Sequence, residues 1–336
     1  MLKDVEKTRL HPNTSLVSIK PQSDKGPVKL IFNDGTTLTA DVLIGDDGLM
    51  STIRPYVLGA GDPSTYPVFM NFLSAVGHVP PKEARRLIGD KYTDMTHRWE
   101  RVGNGSWFLD AYLEGFYTCL GSFYTEEDYD LSQFTRATTP EEIRHYWQNY
   151  NGSEGIIEAL TKYTGLRLIP EVEHLPAKTY IKGPVAMMGN AAHTMTNFQQ
   201  LGPNEQITDG AILGALLGAA VDSDGIAAAL QAYDAVRRPR AQHVSEQGKR
   251  LGHLWTGTTE AGTDVEKLRK AFIDWREDME NFSVVGHLKE AQQAMAKNLQ
   301  AHKQHAQAAP VQWLQGFLGL RESQTALGSQ ALHDNL

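Results

Sequence analysis

Residues 185–209 constrain the fold of this 336-residue chain more than any other stretch. Val185-Ala186-Met187-Met188 is a short apolar run that reads as a buried strand and ends at Gly189. A polar turn follows, and from Asn204 to Val221 the residues Ile207, Ala211, Leu213, Leu217 and Ala220 recur at roughly helical spacing. Gly210, Gly214 and Gly218 on that helix let another backbone come close. A second strand-to-helix unit lies upstream. Asp41-Val42-Leu43-Ile44-Gly45 is continuously apolar after its first residue, as in a parallel sheet buried on both faces. It ends in Asp46-Asp47-Gly48, and Ser51 to Val57 starts a helix. In such a tight turn Gly48 relaxes the backbone and Asp47 accepts hydrogen bonds.

Around these units the pattern is mixed. Leu16–Ile19, Val28–Phe32 and Thr36–Ala40 read as an antiparallel meander, its second turn marked by Asn33-Asp34-Gly35. From Tyr66 to about Tyr124 the chain is rich in aromatics with glycine turns, the texture of an antiparallel sheet. Thr139-Pro140-Glu141-Glu142 is a helix start, with proline at the first helical position and acids in the first turn, and the helix is expected to run to Tyr150. Further helices are expected over Ile156–Thr164, Ile226–Gly252, Val265–Trp275 and Val285–Gln304. The basic cluster Arg237-Arg238-Pro239-Arg240 is placed on or near a helix end, in a solvated or structural role.

Composition narrows the function classes. A net charge of -8 disfavours non-specific binding to nucleic acid or anionic membrane, both of which need basic patches. One cysteine, Cys119, forbids an internal disulfide and sits among apolar residues as a structural thiol. No apolar stretch approaches the ~20 residues that span a bilayer. The expectation is a soluble cytoplasmic protein of undetermined oligomeric state, with no metal ligands assigned and a small molecule as its partner.

Two motifs carry a family resemblance. Gly45-Asp46-Asp47-Gly48-Leu49-Met50-Ser51-Thr52-Ile53-Arg54 resembles the "DG" motif of the FAD-dependent aromatic-ring monooxygenases, through Asp47, Gly48, Ser51 and Arg54. Gly189-Asn190-Ala191-Ala192-His193, continuing through Gly202 and Asn204 to Asp209, resembles the second flavin motif of the salicylate-hydroxylase-like branch. Tyr233-Asp234-Ala235-Val236-Arg237-Arg238-Pro239-Arg240 resembles the family's following helix. The resemblance implies an α/β (α+β) fold: a remnant FAD domain, an antiparallel-sheet substrate domain and C-terminal helices. It divides the chain at 1–65, 66–175, 176–283 and 284–336. If flavin is bound, it assigns the contacts to Asp47, Gly48, Arg54, Gly189, Asn190, Gly202 and Asn204.

The chain also departs from the family. Asn190 stands where the family has Asp, Asn197 replaces a proline, and Gln200 and Leu201 replace Gly and Gln. Thr208 replaces a Glu, and Asp46 adds a carboxylate where a small apolar residue is usual. A glutamine side chain at 200 is expected to close the space of the flavin ring. The Gly-x-Gly-x-x-Gly strand-to-helix unit that holds the ADP half of FAD is not found, and the chain is read as starting too late to contain it. From this follows the expectation of no cofactor: a secondary-metabolism cyclase, cycloaddition enzyme or isomerase that acts by preorganisation and hydrogen bonding on a small apolar polyketide, terpenoid or phenolic substrate. His193, Gln199, Gln200, Tyr112, Tyr117 and His78 are its candidate catalytic residues. The alternatives are an FAD- and NADPH-dependent monooxygenase, with its N-terminal part missing from this chain, and an inactive homologue serving as a binding partner.

Overall fold

The computed structural model describes residues 6, 9–23, 26–94, 96–147, 154–163 and 165–304. The chain opens with the expected meander, β1 (Leu16–Pro21), β2 (Val28–Phe32) and β3 (Thr37–Ala40), paired antiparallel in that order. The short strand β4 (Leu43–Gly45) leads into α1 (Ile53–Leu58). Then come β5 (Pro67–Val79), α2 (Pro81–Ile88), β6 (Trp99–Gly103), β7 (Ser106–Leu113), β8 (Phe116–Tyr124) and β9 (Arg136–Ala137). Helices α3 (Pro140–Trp147) and α4 (Glu154–Tyr163) precede β10 (Arg167–His174). The remainder is β11 (Ile181–Lys182), β12 (Val185–Met187), α5 (Gly189–His193), α6 (Gly202–Gly218), α7 (Ser223–Trp255), α8 (Val265–Glu280) and a helix over 284–304. The expected end of α3 at Tyr150 lies outside the described residues.

The two strand-to-helix units of the sequence lie side by side. β4 and β12 pair in parallel, Leu43 opposite Val185 and Gly45 opposite Met187, in a sheet ordered β11-β12-β4. Their apolar side chains join α1, α5, α6 and α7 in one core that includes Val57, Ala191, Ile212, Leu216 and Tyr233.

A six-stranded sheet, β6-β7-β8-β5-β10-β9, forms the second body of the fold. Both of its faces are covered. Leu73, Phe108, Cys119 and Phe123 pack under α3 and α4, against Ile143, Trp147 and Leu160. Phe72, Trp107 and Leu109, on the opposite face, pack against Phe198 and against Leu251 and Leu254 of α7. Cys119 is buried, and burial beside Asp110 pushes its thiol pKa up, as suits a structural residue.

The basic cluster departs from expectation. Arg237–Arg240 lies in the middle of α7, which runs 33 residues straight through Pro239, and Arg237 is fully buried. Proline removes one helical hydrogen bond and disfavours helix in peptides. Here the helix persists because its flanks are packed: Tyr233 and Ala241 are both buried. No described helix is long and apolar enough to cross a membrane.

Candidate functional site

In open parallel sheets, ligands bind outside the carboxyl ends of the strands. Here those ends are Gly45 and Met187, and both sequence motifs follow directly from them. Three polypeptide pieces meet there: the turn after β4, the turn after β12 with the loop Thr194–Leu201, and the first turn of α6.

The turn after β4 is internally satisfied. Asp47 caps α1, accepting from Ser51 Oγ at 2.6 Å, from Thr52 N–H at 2.7 Å and from Ile53 N–H at 3.2 Å. Gly48 takes φ +81°, the left-handed region that glycine enters without steric cost. Arg54 is wholly buried and reaches back across the fold. Its guanidinium donates to the carbonyls of Ser64 (2.7 Å), Ala191 (2.9 Å), Ala192 (2.6 Å) and Leu175 (3.3 Å). Burial pushes its pKa down to about 10. Arg54 thus fastens α5 to α1.

A buried charge network supports the turn after β12. Asp209 accepts from Gly189 N–H at 3.0 Å, from His193 Nε2 at 2.5 Å and from Arg237 Nε at 2.7 Å. Arg237 also holds Glu205 at 2.5 Å, and Arg240 holds Glu205 at 3.2 Å. Burial opposes ionisation of Asp209, but the His193 and Arg237 contacts outweigh it and keep its pKa below the ordinary value. With Asp209 ionised, His193 Nε2 carries the proton and donates. Neighbouring His174 is pushed down to about 3 by burial and by the charge of Arg54, and stays neutral.

The loop Thr194–Leu201 is pinned on two sides. Glu171 of β10, buried where the β5–β10 register shifts, accepts the Asn197 N–H at 2.8 Å and Ser74 Oγ at 3.2 Å. Burial raises the Glu171 pKa. On the other side Phe198 and Gln199 enter a slot on α7 made by two glycines. A methyl group at Gly252 would stand 2.5 Å from the Phe198 ring, and one at Gly248 would stand 2.7 Å from Gln199 Nε2. Gln199 donates to the Val244 carbonyl and accepts from Trp275 Nε1 at 3.4 Å.

Exposed polar side chains of the two turns and loop include Asp46, Asp47, Asn190, Asn197 and Gln200, with Asn204 at the start of α6. That helix start has Leu201 at its N-cap and no side-chain cap. First-turn amides of a helix have no intrahelical partner and favour electronegative groups. On the outer side of β4, the last strand of its sheet among the described residues, lies an open groove of about 570 Å³. Leu16, Phe32, Leu43, Asp46, Asp47 and Ile53 line it.

The expected site residues fall into separate groups. Asp47, Gly48, Gly189, Asn190, Gly202 and Asn204 surround the carboxyl ends of β4 and β12. Arg54, His193 and Gln199 are buried behind them; Arg54 and Gln199 hold backbone carbonyls and His193 holds the Asp209 carboxylate. Gln200 is exposed on the loop. His78 lies on the loop-facing side of the large sheet, exposed, with Nδ1 3.2 Å from Thr118 Oγ1. Tyr112 and Tyr117 lie on the opposite side, in edge-to-face contact at 5.3 Å in the core beneath α2–α4. The structure therefore separates these two tyrosines from the loop. Sequence reasoning did not single out Glu171, Glu205 or Arg237. Arg237 lies within the Tyr-x-x-x-Arg-x-Pro-Arg run, which was the available signal.

Comparison with known proteins decides the family. A family model described as an FAD binding domain matches residues 5–248. The chain belongs to this family. It is 57% identical over 304 residues to an FAD-dependent monooxygenase, elcH, of Phaeosphaeria nodorum, covering 89% of this chain and 63% of that protein. It is 31% identical over 248 residues to 6-methylsalicylate 1-monooxygenase, atA, of Aspergillus terreus, covering 73% and 54%. The chain thus spans between half and two thirds of the length of these relatives. Among solved structures, a salicylate hydroxylase substrate complex matches with TM-score 0.74 at 24% identity, over 83% of this chain and 70% of that one. Klebsiella pneumoniae HpxO complexed with FAD and uric acid matches with TM-score 0.58 at 20% identity, over 83% and 66%. These two likenesses establish the fold.

These findings correct the expectation of a cofactor-free cyclase. They favour the FAD-dependent alternative, and the local structure explains how the departures from the motif are accommodated. Gln200 replaces a glycine, takes the left-handed backbone that glycine enters freely, with φ +57°, and has its side chain exposed. Asn197 replaces a proline, and its N–H is used by Glu171. Thr208 donates to the Asn204 carbonyl at 2.8 Å within α6. The departures leave the strand–turn–helix frame intact.

Proposed function

We propose that this protein acts as an FAD-dependent monooxygenase on a small aromatic substrate of the phenolic or polyketide class. The observation that carries the proposal is the pair of motif turns at the carboxyl ends of the parallel strands β4 and β12, joined to α6 through the Gln206–Asp46 contact, in a chain 57% identical to a protein named an FAD-dependent monooxygenase.

The residues present fit the cofactor. Gly189, at φ +56°, has its N–H fixed by Asp209, and a side chain there would collide with Asp46 and Gln206. The glycine is required by the close approach of Asp46 and Gln206 over this turn. The Gly202 and Asn204 amides, at the positive end of a 17-residue helix, suit the electron-rich edge of an isoalloxazine ring. Asn190 and the Gly48 turn would flank the chain that joins ring to phosphates. Bound FAD would supply the redox chemistry.

Overall, a ring C–H becomes C–OH, the second oxygen atom of O2 leaves as water, and two electrons and two protons come from a reduced nicotinamide and solvent. This chain's residues hold and orient. Asp209, His193 and Arg237 fix the Gly189 turn. Glu171, Phe198 and Gln199 fix the loop that carries Asn197 and Gln200, the side chains open to a bound substrate. A loop held on two sides keeps reacting groups aligned, which contributes through lowered orientational entropy.

The test is aerobic turnover of the FAD-supplied protein with NADPH and a panel of salicylates that includes 6-methylsalicylate, under 18O2. The expected product carries one 18O atom. A product formed without O2 uptake and without the label would overturn the proposal.

A further inference from the structure

Among the described residues, Asp46 is the one carboxylate at the carboxyl ends of the parallel strands that is neither capping a helix nor paired with a buried cation. Its neighbour Asp47 is committed to capping α1. Asp209 is buried and paired with His193 and Arg237. Asp46 is exposed, and its recorded hydrogen-bond partner is Gln206 Nε2, at 2.9 and 3.1 Å. An ionised carboxylate offers about four acceptor sites, so Asp46 retains most of its capacity.

Its position is fixed by the sheet. Met188 N–H donates to the Gly45 carbonyl at 2.8 Å, which sets Asp46 beside the turn that begins at Gly189. A side chain on Gly189 would strike the Asp46 carboxylate and the Gln206 side chain. Asp46 and Asn190 therefore flank the same glycine from two strands. Position 190, where the sequence resemblance places a carboxylate, carries an amide, and position 46, where it places a small apolar residue, carries the carboxylate. The carboxylate thus stands on the turn after β4 instead of the turn after β12, against the same glycine.

We propose that Asp46 is the carboxylate of this protein's flavin site and that it accepts hydrogen bonds from the ribityl hydroxyls. This rests on the FAD reading above. The chemistry selects that part of the cofactor. The diphosphate is anionic and would be repelled by Asp46, with Asp47 beside it. The isoalloxazine ring offers one N–H, whereas the ribityl chain offers three adjacent hydroxyl donors. Gln206 holds the Asp46 side chain in place without neutralising it, so the acceptor is already oriented.

The experiment measures binding, not turnover. Riboflavin and lumiflavin share the ring system, but only riboflavin has the ribityl chain. Dissociation constants for FAD, riboflavin and lumiflavin are measured on the full chain by flavin fluorescence for the wild type, Asp46→Ala, Asn190→Asp and the double variant. Removing a charged hydrogen-bond acceptor predicts roughly a tenfold to hundredfold weaker affinity of Asp46→Ala for riboflavin and FAD, with lumiflavin unchanged. Asn190→Asp in the Asp46→Ala background is expected to restore most of the loss, because it returns a carboxylate to the residue that follows Gly189. Asp46→Ala affinity equal to wild type, or an equal loss for lumiflavin, would overturn the assignment while leaving the FAD reading in place. A wild type that binds none of the three flavins would overturn the FAD reading, and this assignment with it. Asp46 is exposed, so all variants are expected to melt as the wild type does without ligand.

Discussion

Arg237→Met is the most informative single change to the framework. The guanidinium is fully buried between Asp209 (2.7 Å) and Glu205 (2.5 Å), both also buried. Methionine fills similar space but leaves the two carboxylates with His193 and the Gly189 amide on Asp209 and Arg240 on Glu205. Removing one partner of a buried ion pair costs about 3–5 kcal/mol, because the remaining charge stays desolvated. For a 336-residue chain with an unfolding entropy near ~2 cal/mol/K per residue, that loss lowers the melting temperature by roughly 4–7 °C. The assay is thermal and urea unfolding of Arg237→Met, Glu205→Gln and the double variant. Since Glu205→Gln removes one of the two stranded charges, Arg237→Met should cost at least ~1.5 kcal/mol less in that background. A single-variant loss below ~1 kcal/mol, or strict additivity in the double variant, would refute the view that Arg237 neutralises this pair. The consequence reaches the site, because Asp209 also holds the Gly189 amide.

Two further predictions concern the sheet. Burial raises the Glu171 pKa in the folded protein. A carboxyl group with a raised folded pKa binds more protons folded than unfolded, so its contribution to stability is present below the unfolded value, near ~4.3, and declines as pH rises through the folded value. Glu171→Gln retains an acceptor for Asn197 and should flatten the fall of stability above that pH; urea titrations at pH 5 and pH 8 would show an unchanged slope if the idea is wrong. Tyr112→Phe and Tyr117→Phe should leave flavin affinity and turnover within about twofold of wild type, since both rings lie beneath α2–α4. A tenfold loss of turnover in Tyr112→Phe, with melting unchanged, would contradict that placement.

What was legible in the sequence follows from how local each signal is. The meander and β4 were readable because β-branched runs and Asn33-Asp34-Gly35 act over a few residues. The two strand-to-helix units were readable because each is contiguous. The sides of β7 were not. Ser106–Ala111 is buried on both faces, so no hydrophobic alternation marks which side meets the loop. The role of Gln199 was equally hidden, since its partner Val244 lies 45 residues away. The sequence left the Arg237–Arg240 cluster between a solvated and a structural role because the acidic partner Glu205 is distant in sequence. The functional expectation went astray by giving the five motif departures too much weight: a residue type does not reveal that Gln200 takes a left-handed backbone with its side chain exposed.

The most direct test of the account is FAD titration of the full chain, followed by quenching of flavin fluorescence and by the visible absorbance band. Saturable one-to-one binding, weakened by Gly189→Val, which fills the turn after β12, is the predicted result. A folded protein that leaves FAD fluorescence unchanged up to millimolar concentration would contradict the central claim that the carboxyl ends of β4 and β12 form a flavin site.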